Sequence, residues 1–198
     1  MKLYYSKPSP FSRKVRASAI LLGLDRDIEL IEIDVYASPP ELLRANPLGL
    51  IPTLITNDGF AFFESPVICE YLNGIGKDLP IIPPAGALRL VGLRLEALGD
   101  GIMTAAVLRR GLSTQGNLPE DHVMVLRRKA AVARTLDVLE AEPLSHHADI
   151  GLIAVACALG YLDLRYADEP WREGRPRLAA WFEEISKQDC IRLTDPGL

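Results

Sequence analysis

Asn46-Pro47-Leu48-Gly49-Leu50-Ile51-Pro52-Thr53-Leu54 packs two prolines and a glycine in front of a short apolar strand. A proline that opens a strand is tolerated where its missing N–H is not needed. If the Ile51–Pro52 bond is cis, the backbone of Ile51 turns outward and can pair with a peptide-like ligand as an added strand would. An ordinary strand-edge proline is the commoner reason for an isolated Ile-Pro, so the surrounding chain has to decide.

Downstream, Pro52 to Thr56 and Phe60 to Phe63 read as two short strands joined by Asn57-Asp58-Gly59, a strong hairpin turn. These strands must be antiparallel. Ser65 is placed to cap a helix through Val67, Ile68 and Tyr71, with Pro66 at its first position. Upstream, Pro39 to Arg44 reads as a short helix. Ile28 to Val35 is β-branched and nearly continuous, which predicts a well-buried strand. Leu3-Tyr4-Tyr5 is an apolar first strand. Phe11 to Leu22 has helical period, with Val15, Ala19 and Leu22 on one face and Gly23 placed to end it in the left-handed conformation. A full helix between the first two strands makes them parallel. The order βαβ, a further helix, then ββα predicts a mixed α/β sheet of four strands with helices on both faces.

After this the pattern changes. Gly74 to Gly86 holds three Gly and three Pro, and reads as a connection between domains. Helices follow: Leu88 to about Arg110, Asp121 to about Ala141, Ile150 to about Leu164, and Pro176 to Lys187. The third is apolar all round and should be a buried central helix. The expected division is an α/β domain over 1–77, a linker over 78–86 and an all-α bundle over 87–198.

Composition narrows the function. With 198 residues, 48% of them apolar, the chain can bury a sizeable interior. Its net charge is -4, and Lys and Arg are scattered, so no nucleic-acid partner is expected. No apolar run reaches membrane-spanning length, so no membrane partner is expected either. Lys2-Leu3-Tyr4-Tyr5 follows Met1 without a charged-then-apolar leader, which predicts a cytoplasmic protein without a signal peptide. Cys69, Cys157 and Cys190 lie far apart, which suits buried thiols in a reducing compartment.

Two further stretches carry chemistry. In Ser9-Pro10-Phe11-Ser12-Arg13-Lys14-Val15-Arg16 a hydroxyl stands where a loop becomes a helix. Unpaired N–H groups and the helix dipole favour an anion there, and a serine hydroxyl can donate one more hydrogen bond to a thiolate. In Phe63-Glu64-Ser65-Pro66 a carboxylate and a hydroxyl at a helix start match the ammonium and carboxylate of an α-amino acid head group. Helix capping explains each serine when it is taken alone.

Together, in this order, the three stretches resemble the glutathione transferase superfamily. The resemblance extends to Ala148-Asp149-Ile150 and to Pro176-Arg177-Leu178-Ala179-Ala180-Trp181, and so covers nearly the whole chain. In detail it is most similar to small bacterial members of the Ser-type group. The resemblance implies a thioredoxin-like first domain, an all-helical second domain, glutathione as co-substrate and a homodimer. It implies that Ser9 supports the glutathione thiolate. It also implies glutathione-binding positions at Phe11, Leu50, Ile51, Pro52, Glu64, Ser65 and Asp100, the last reaching the partner subunit's glutathione. Leu50 departs from the family pattern, standing where many relatives carry Lys near the glycyl end. His146 stands where a Ser or Thr usually caps the buried helix, leaving Asp149 as the acidic half of a capping box whose hydroxyl half is missing or shifted to Ser145.

Tyr5 and Ser12 are alternative donors to the thiolate. Lys14, Arg16 and Arg13 are expected to form a solvated helix face. Arg109 and Arg110 either border a second-substrate pocket or complement a helix C-terminus. His146, His147 and Asp149 form only a loose group, so no metal is expected. The function these features imply is transfer of the glutathione thiolate to a small electrophilic or hydroperoxide substrate, in the manner of a detoxification enzyme. Glutathione-dependent thiol-disulfide exchange and non-catalytic glutathione binding are the alternatives.

Overall fold

The structure, a computed structural model, describes residues 1–197. The chain forms two compact units, Met1–Arg89 with Asp189–Leu198, and Leu90–Gln188.

In the first unit, β1 (Lys2–Tyr5), β2 (Glu29–Glu32), β3 (Thr53–Ile55) and β4 (Ala61–Phe63) form one sheet in the order β2-β1-β3-β4. β1 and β2 are parallel, while β1–β3 and β3–β4 are antiparallel. The hairpin closes where Thr56 N–H donates to Phe60 O at 2.9 Å, with Gly59 at φ +86°. Only glycine takes that conformation at no steric cost. Helices α1 (Pro10–Leu21) and α3 (Ser65–Ile75) pack on each other. The side chains of Leu3 and Leu54, paired across β1 and β3, are fully buried. On the other face Leu42 of α2 (Pro40–Ala45) clusters with Tyr4 and Ile33.

β2 differs from expectation. It is shorter than Ile28 to Val35, and three of its four residues are exposed. It lies at the sheet edge, and burial is confined to the flanking Ile28 and Ile33. A run of β-branched residues does not distinguish an edge strand from a central one.

Helix α4 (Ala87–Thr114) begins with the last residues of the first unit, Ala87 to Arg89, and continues into the second from Leu90. It is followed by α5 (Val123–Ala141), α6 (Ile150–Arg165) and α7 (Pro176–Ile185). Helix α6 is the core, with Ile153 to Leu159 fully buried. Asp149 is itself the cap of α6, its Oδ1 accepting Leu152 N–H at 2.9 Å. Ser145 instead accepts His147 N–H at 3.0 Å, so no hydroxyl is needed at His146. No helix among the described residues is long and apolar enough to cross a membrane.

The last segment, with α8 (Asp189–Arg192), belongs to the first unit and packs on α1. All three cysteines are buried, and burial pushes the Cys190 thiol above its ordinary pKa.

Candidate active site

The register of the sheet brings the three stretches to one end. Tyr4 pairs with Thr53, and Thr53 with Phe63. The chain leaving β1, the chain entering β3 and the chain leaving β4 therefore meet at that end. These are the segments that carry Ser9, Ile51–Pro52 and Glu64–Ser65. Helices α1 and α3 both begin there, so two sets of unpaired backbone N–H groups face the same region.

Ser9 is the N-cap of α1 and half-buried. Its Oγ accepts the N–H of Ser12 at 3.2 Å, and its carbonyl accepts Arg13 N–H at 3.0 Å. Because the Oγ accepts the backbone bond, its own proton is available to an outside acceptor.

The Ile51–Pro52 bond is cis. Pro52 is buried and Ile51 half-buried, while Leu50 is 53% exposed. Asn46, only 1% exposed, organises this loop from beneath. Its Nδ2 donates to Leu50 O at 2.9 Å and to Thr53 Oγ1 at 3.1 Å, and its Oδ1 accepts Leu48 N–H at 3.0 Å. Thr53 Oγ1 in turn donates to Leu50 O at 2.9 Å. Asn46 was not singled out as a functional candidate in the sequence. The signal was an amide side chain ahead of Pro47 and Gly49, in a loop too irregular to satisfy its own backbone.

Glu64, not Ser65, is the N-cap of α3, and Ser65 is the first residue of the helix, 2% exposed. Glu64 holds φ +65° and is exposed. A non-glycine residue there costs on the order of 1–3 kcal/mol, and such residues cluster at functional sites.

The basic residues of α1 depart from expectation. Arg13 is 4% and Lys14 0% exposed, so this is no solvated face. Arg13 Nη2 donates to Ile191 O at 3.1 Å and lies 3.7 Å from Asp195 Oδ2, because the C-terminal segment covers it. Tyr5 is nearly buried, with the Arg16 guanidinium 5.4 Å from its ring centroid. Ser12 is fully buried, which leaves Ser9 the more accessible hydroxyl. Phe11 is half-buried in the first turn of α1.

Asp100 lies on α4 in the second unit, half-exposed. Arg109 is also in that unit, 6% exposed, with Nη1 donating to Glu169 Oε2 at 2.8 Å and Nη2 to Glu120 Oε2 at 2.6 Å. It neither caps its helix nor stands in solvent.

Two family profiles match: "Glutathione S-transferase, N-terminal domain" over residues 8–75 and "Glutathione S-transferase, C-terminal domain" over residues 125–184. The chain is 32% identical to the uncharacterized GST-like protein YibF of Escherichia coli K12, over 99% of this chain and 98% of that one. A glutathione transferase family member from Pseudomonas fluorescens Pf-5, solved with bound glutathione, superposes with a TM-score of 0.93 at 38% identity, covering 100% of this chain and 99% of that one. The structure of such a protein from the same organism with bound S-(propanoic acid)-glutathione gives a TM-score of 0.89 at 37% identity, covering 100% of both chains.

Proposed function

The chain belongs to the glutathione S-transferase family, and from that premise we propose that it binds glutathione at this end of the sheet and adds the glutathione thiolate to a small electrophile. The observation that carries the reading is Ser9, a half-buried hydroxyl at the start of α1 whose proton remains available. On this reading the chain is a Ser-type member. A free cysteine thiol has a pKa of about 8.5, so only a few per cent is nucleophilic at neutral pH. Lowering it by about two units is worth roughly 2.7 kcal/mol. One hydroxyl donor together with helix-start N–H groups supplies energy of that order. The thiolate sulfur then bonds to the electrophilic carbon, and a leaving group departs with its electron pair or the displaced pair takes a proton.

The remaining roles follow from chemistry. Ser65 and the start of α3 receive the γ-glutamyl carboxylate, and Glu64 its ammonium. The Ile51 backbone pairs with the cysteinyl part beside Pro52, with Phe11 and Leu50 as apolar flanks. Leu50 offers the glycyl end no charge. The Pseudomonas fluorescens relative, seen with both glutathione and an S-substituted glutathione, supports a site with room beyond the sulfur.

The proposal extends to a cytoplasmic, detoxifying homodimer in which Asp100 reaches the partner subunit's glutathione. Phe60, 61% exposed, sits 4.9 Å from Phe62, which stacks on Tyr71 at 4.4 Å. Such an exposed aromatic group suits burial against a second copy. The deciding experiment is a panel of glutathione-dependent assays covering conjugation, peroxide reduction and disulfide reduction. Conjugation is expected. Disulfide reduction alone would move the chain to the oxidoreductases, and binding without turnover would make it a glutathione-binding interaction protein.

A further inference from the structure

The helix that carries Ser9 is tied to the far end of the chain. Arg13 sits one turn into α1, and its backbone N–H donates to Ser9 O at 3.0 Å. Its side chain reaches α8, where Nη2 donates to Ile191 O at 3.1 Å across a separation of 178 residues. Asp195 Oδ2 lies 3.7 Å from the same nitrogen. Both ends of this link belong to the first unit.

The anchor is the firmer end. Cys190, Ile191 and Thr194 are each 3% exposed or less. Thr194 Oγ1 shares its proton between Cys190 O at 2.8 Å and Ile191 O at 3.2 Å, which closes α8 on itself, and α8 packs on α1. The first turn of a helix, by contrast, has N–H groups without intrahelical partners and frays. Two bonds hold it here, Ser12 N–H on Ser9 Oγ and Arg13 N–H on Ser9 O. Both end on the residue that carries the hydroxyl.

As a source of stability, Arg13 is poorly arranged. Its side chain is 4% exposed, yet Nε and Nη1 are buried with no acceptor among the described residues. One carbonyl, and one carboxylate whose side chain is 53% exposed, do not offset the desolvation of a buried cation. A methionine there would bury similar surface without that cost. It would strand nothing on the anchor, because Ile191 O keeps Thr194 and Asp195 keeps water. What it would lose is direction. Apolar contact is non-directional, whereas a bond from a planar guanidinium to one carbonyl fixes where the turn stands. Misplacing a catalytic group by about 1 Å costs up to about a hundredfold in rate.

We propose that, with Ser9 read as the donor to the thiolate, Arg13 is a positioning residue that uses the C-terminal segment as a fixed point, holds the first turn of α1 and so aims the Ser9 hydroxyl at the glutathione sulfur. In the ligand-free full chain, amide hydrogen exchange at Ser12 and Arg13 should be several-fold faster in Arg13→Met than in wild type. Ile68 N–H, which closes the first turn of α3 on Glu64 O at 3.1 Å, should exchange as before, and the urea midpoint should not fall. With glutathione bound, Arg13→Met should raise the thiol pKa by about half as much as Ser9→Ala does. It should lower kcat about three- to tenfold while the glutathione Kd changes by less than about twofold. Arg13→Lys keeps one donor for Ile191 O and should recover part of both losses. In a Ser9→Ala background, Arg13→Met should add nothing, because no hydroxyl is left to aim. A thiol shift that persists without Ser9 would make Arg13 a direct electrostatic partner of the thiolate and overturn the proposal, as would unchanged exchange at Ser12. A shift in Ser9→Ala with none in Arg13→Met would overturn it while the Ser9 reading stands, whereas coincident titrations of wild type and Ser9→Ala would remove both. If Arg13→Met does not fold, Arg13→Lys decides: a smaller shift of the same sign supports the role, and no shift overturns it.

Discussion

The Oγ of Ser9 accepts the backbone N–H of Ser12 at 3.2 Å, so the hydroxyl proposed to meet the glutathione sulfur also caps α1. Its two duties can be separated by substitution. Ser9→Ala removes both and should cost about 1 kcal/mol of stability. It should also raise the thiol pKa of bound glutathione and cut turnover by about one to two powers of ten, as losing roughly 1.5–3 kcal/mol of charge-assisted hydrogen bonding does. Ser9→Asp restores a good cap but sets a negative charge beside the sulfur, so stability should return and turnover should not. Urea unfolding reads the first effect, and an ultraviolet titration of the bound thiolate reads the second. Identical thiolate titrations in wild type and Ser9→Ala would remove Ser9 from the chemistry and turn attention to Tyr5 or Ser12.

Asn46 should act through position. Its amide donates to Leu50 O at 2.9 Å and to Thr53 Oγ1 at 3.1 Å, tying the loop to the start of β3. Asn46→Ala removes the bonds to Leu50 O, Thr53 Oγ1 and Leu48 N–H together, leaving only Thr53 Oγ1 on Leu50 O, and should destabilise the chain by about 1–3 kcal/mol. It should weaken glutathione binding several-fold before it lowers kcat, because the Ile51 backbone moves while Ser9 stays in place. Asn46→Asp keeps the Oδ1 acceptor for Leu48 but loses the donor, and should resemble alanine in binding. Calorimetric titration with glutathione checks this, and unchanged affinity in both variants would show that the loop holds itself.

The sheet order was legible because each connection declares itself locally. Asn57-Asp58-Gly59 can only close a hairpin, and the helix from Phe11 to Leu22 can only join parallel strands. The helix starts near Ser9 and Ser65 were legible for the same reason, since a loop-to-helix junction is a local event. Burial was less legible. Arg13 and Lys14 follow a helical polar pattern that usually faces water, yet the cover over Arg13 comes from Ile191 and Asp195, far away along the chain. Arg109 likewise finds Glu169 across a separation of 60 residues. Periodicity reports which face is apolar and carries no information about a distant carboxylate that makes a cation buriable.

That ion pair and Tyr166, whose ring lies under the Arg109 guanidinium, give the chain a pH signature at the two ends of the scale. Hydrogen bonds from Arg109 hold the Glu169 carboxyl below its ordinary pKa, with Lys129 adding to the effect. A carboxyl lowered by folding contributes stability above its unfolded value, about 4.3, and loses it as pH falls through the folded value. Stability should therefore drop below about pH 4.5, and Glu169→Gln should flatten that drop. At the alkaline end, burial pushes the Tyr166 hydroxyl up to about 12. A group raised by folding contributes stability below its unfolded value, about 10, and loses it as pH rises to the folded one. Stability should fall between about pH 10 and 12, and Tyr166→Phe should remove that part. Tyrosinate absorbance alongside circular dichroism follows both, and a Tyr166 that titrates near 10 would contradict the assignment.

Gly99 should be irreplaceable, while another glycine of the same helix should not. Alanine in a helix interior ordinarily gains about 1 kcal/mol over glycine. At Gly99 a Cβ would stand 2.5 Å from Ala154 C, 2.7 Å from Val155 N and 2.8 Å from Ala154 O. These are backbone atoms of α6, which is buried along nearly its whole length, so no side chain can swing aside and the two helices must part. Overpacking of this kind costs about 1–3 kcal/mol or more, which outweighs the propensity gain. Gly99→Ala should lower Tm by about 4–8 °C. A Cβ at Gly111 meets nothing within 4 Å. Gly111→Ala should therefore show the propensity alone and raise Tm by about 2 °C. Thermal unfolding of the two variants under one buffer tests the sign of each. If both shifted Tm upward, the close approach of α4 to α6 at Gly99 would be refuted.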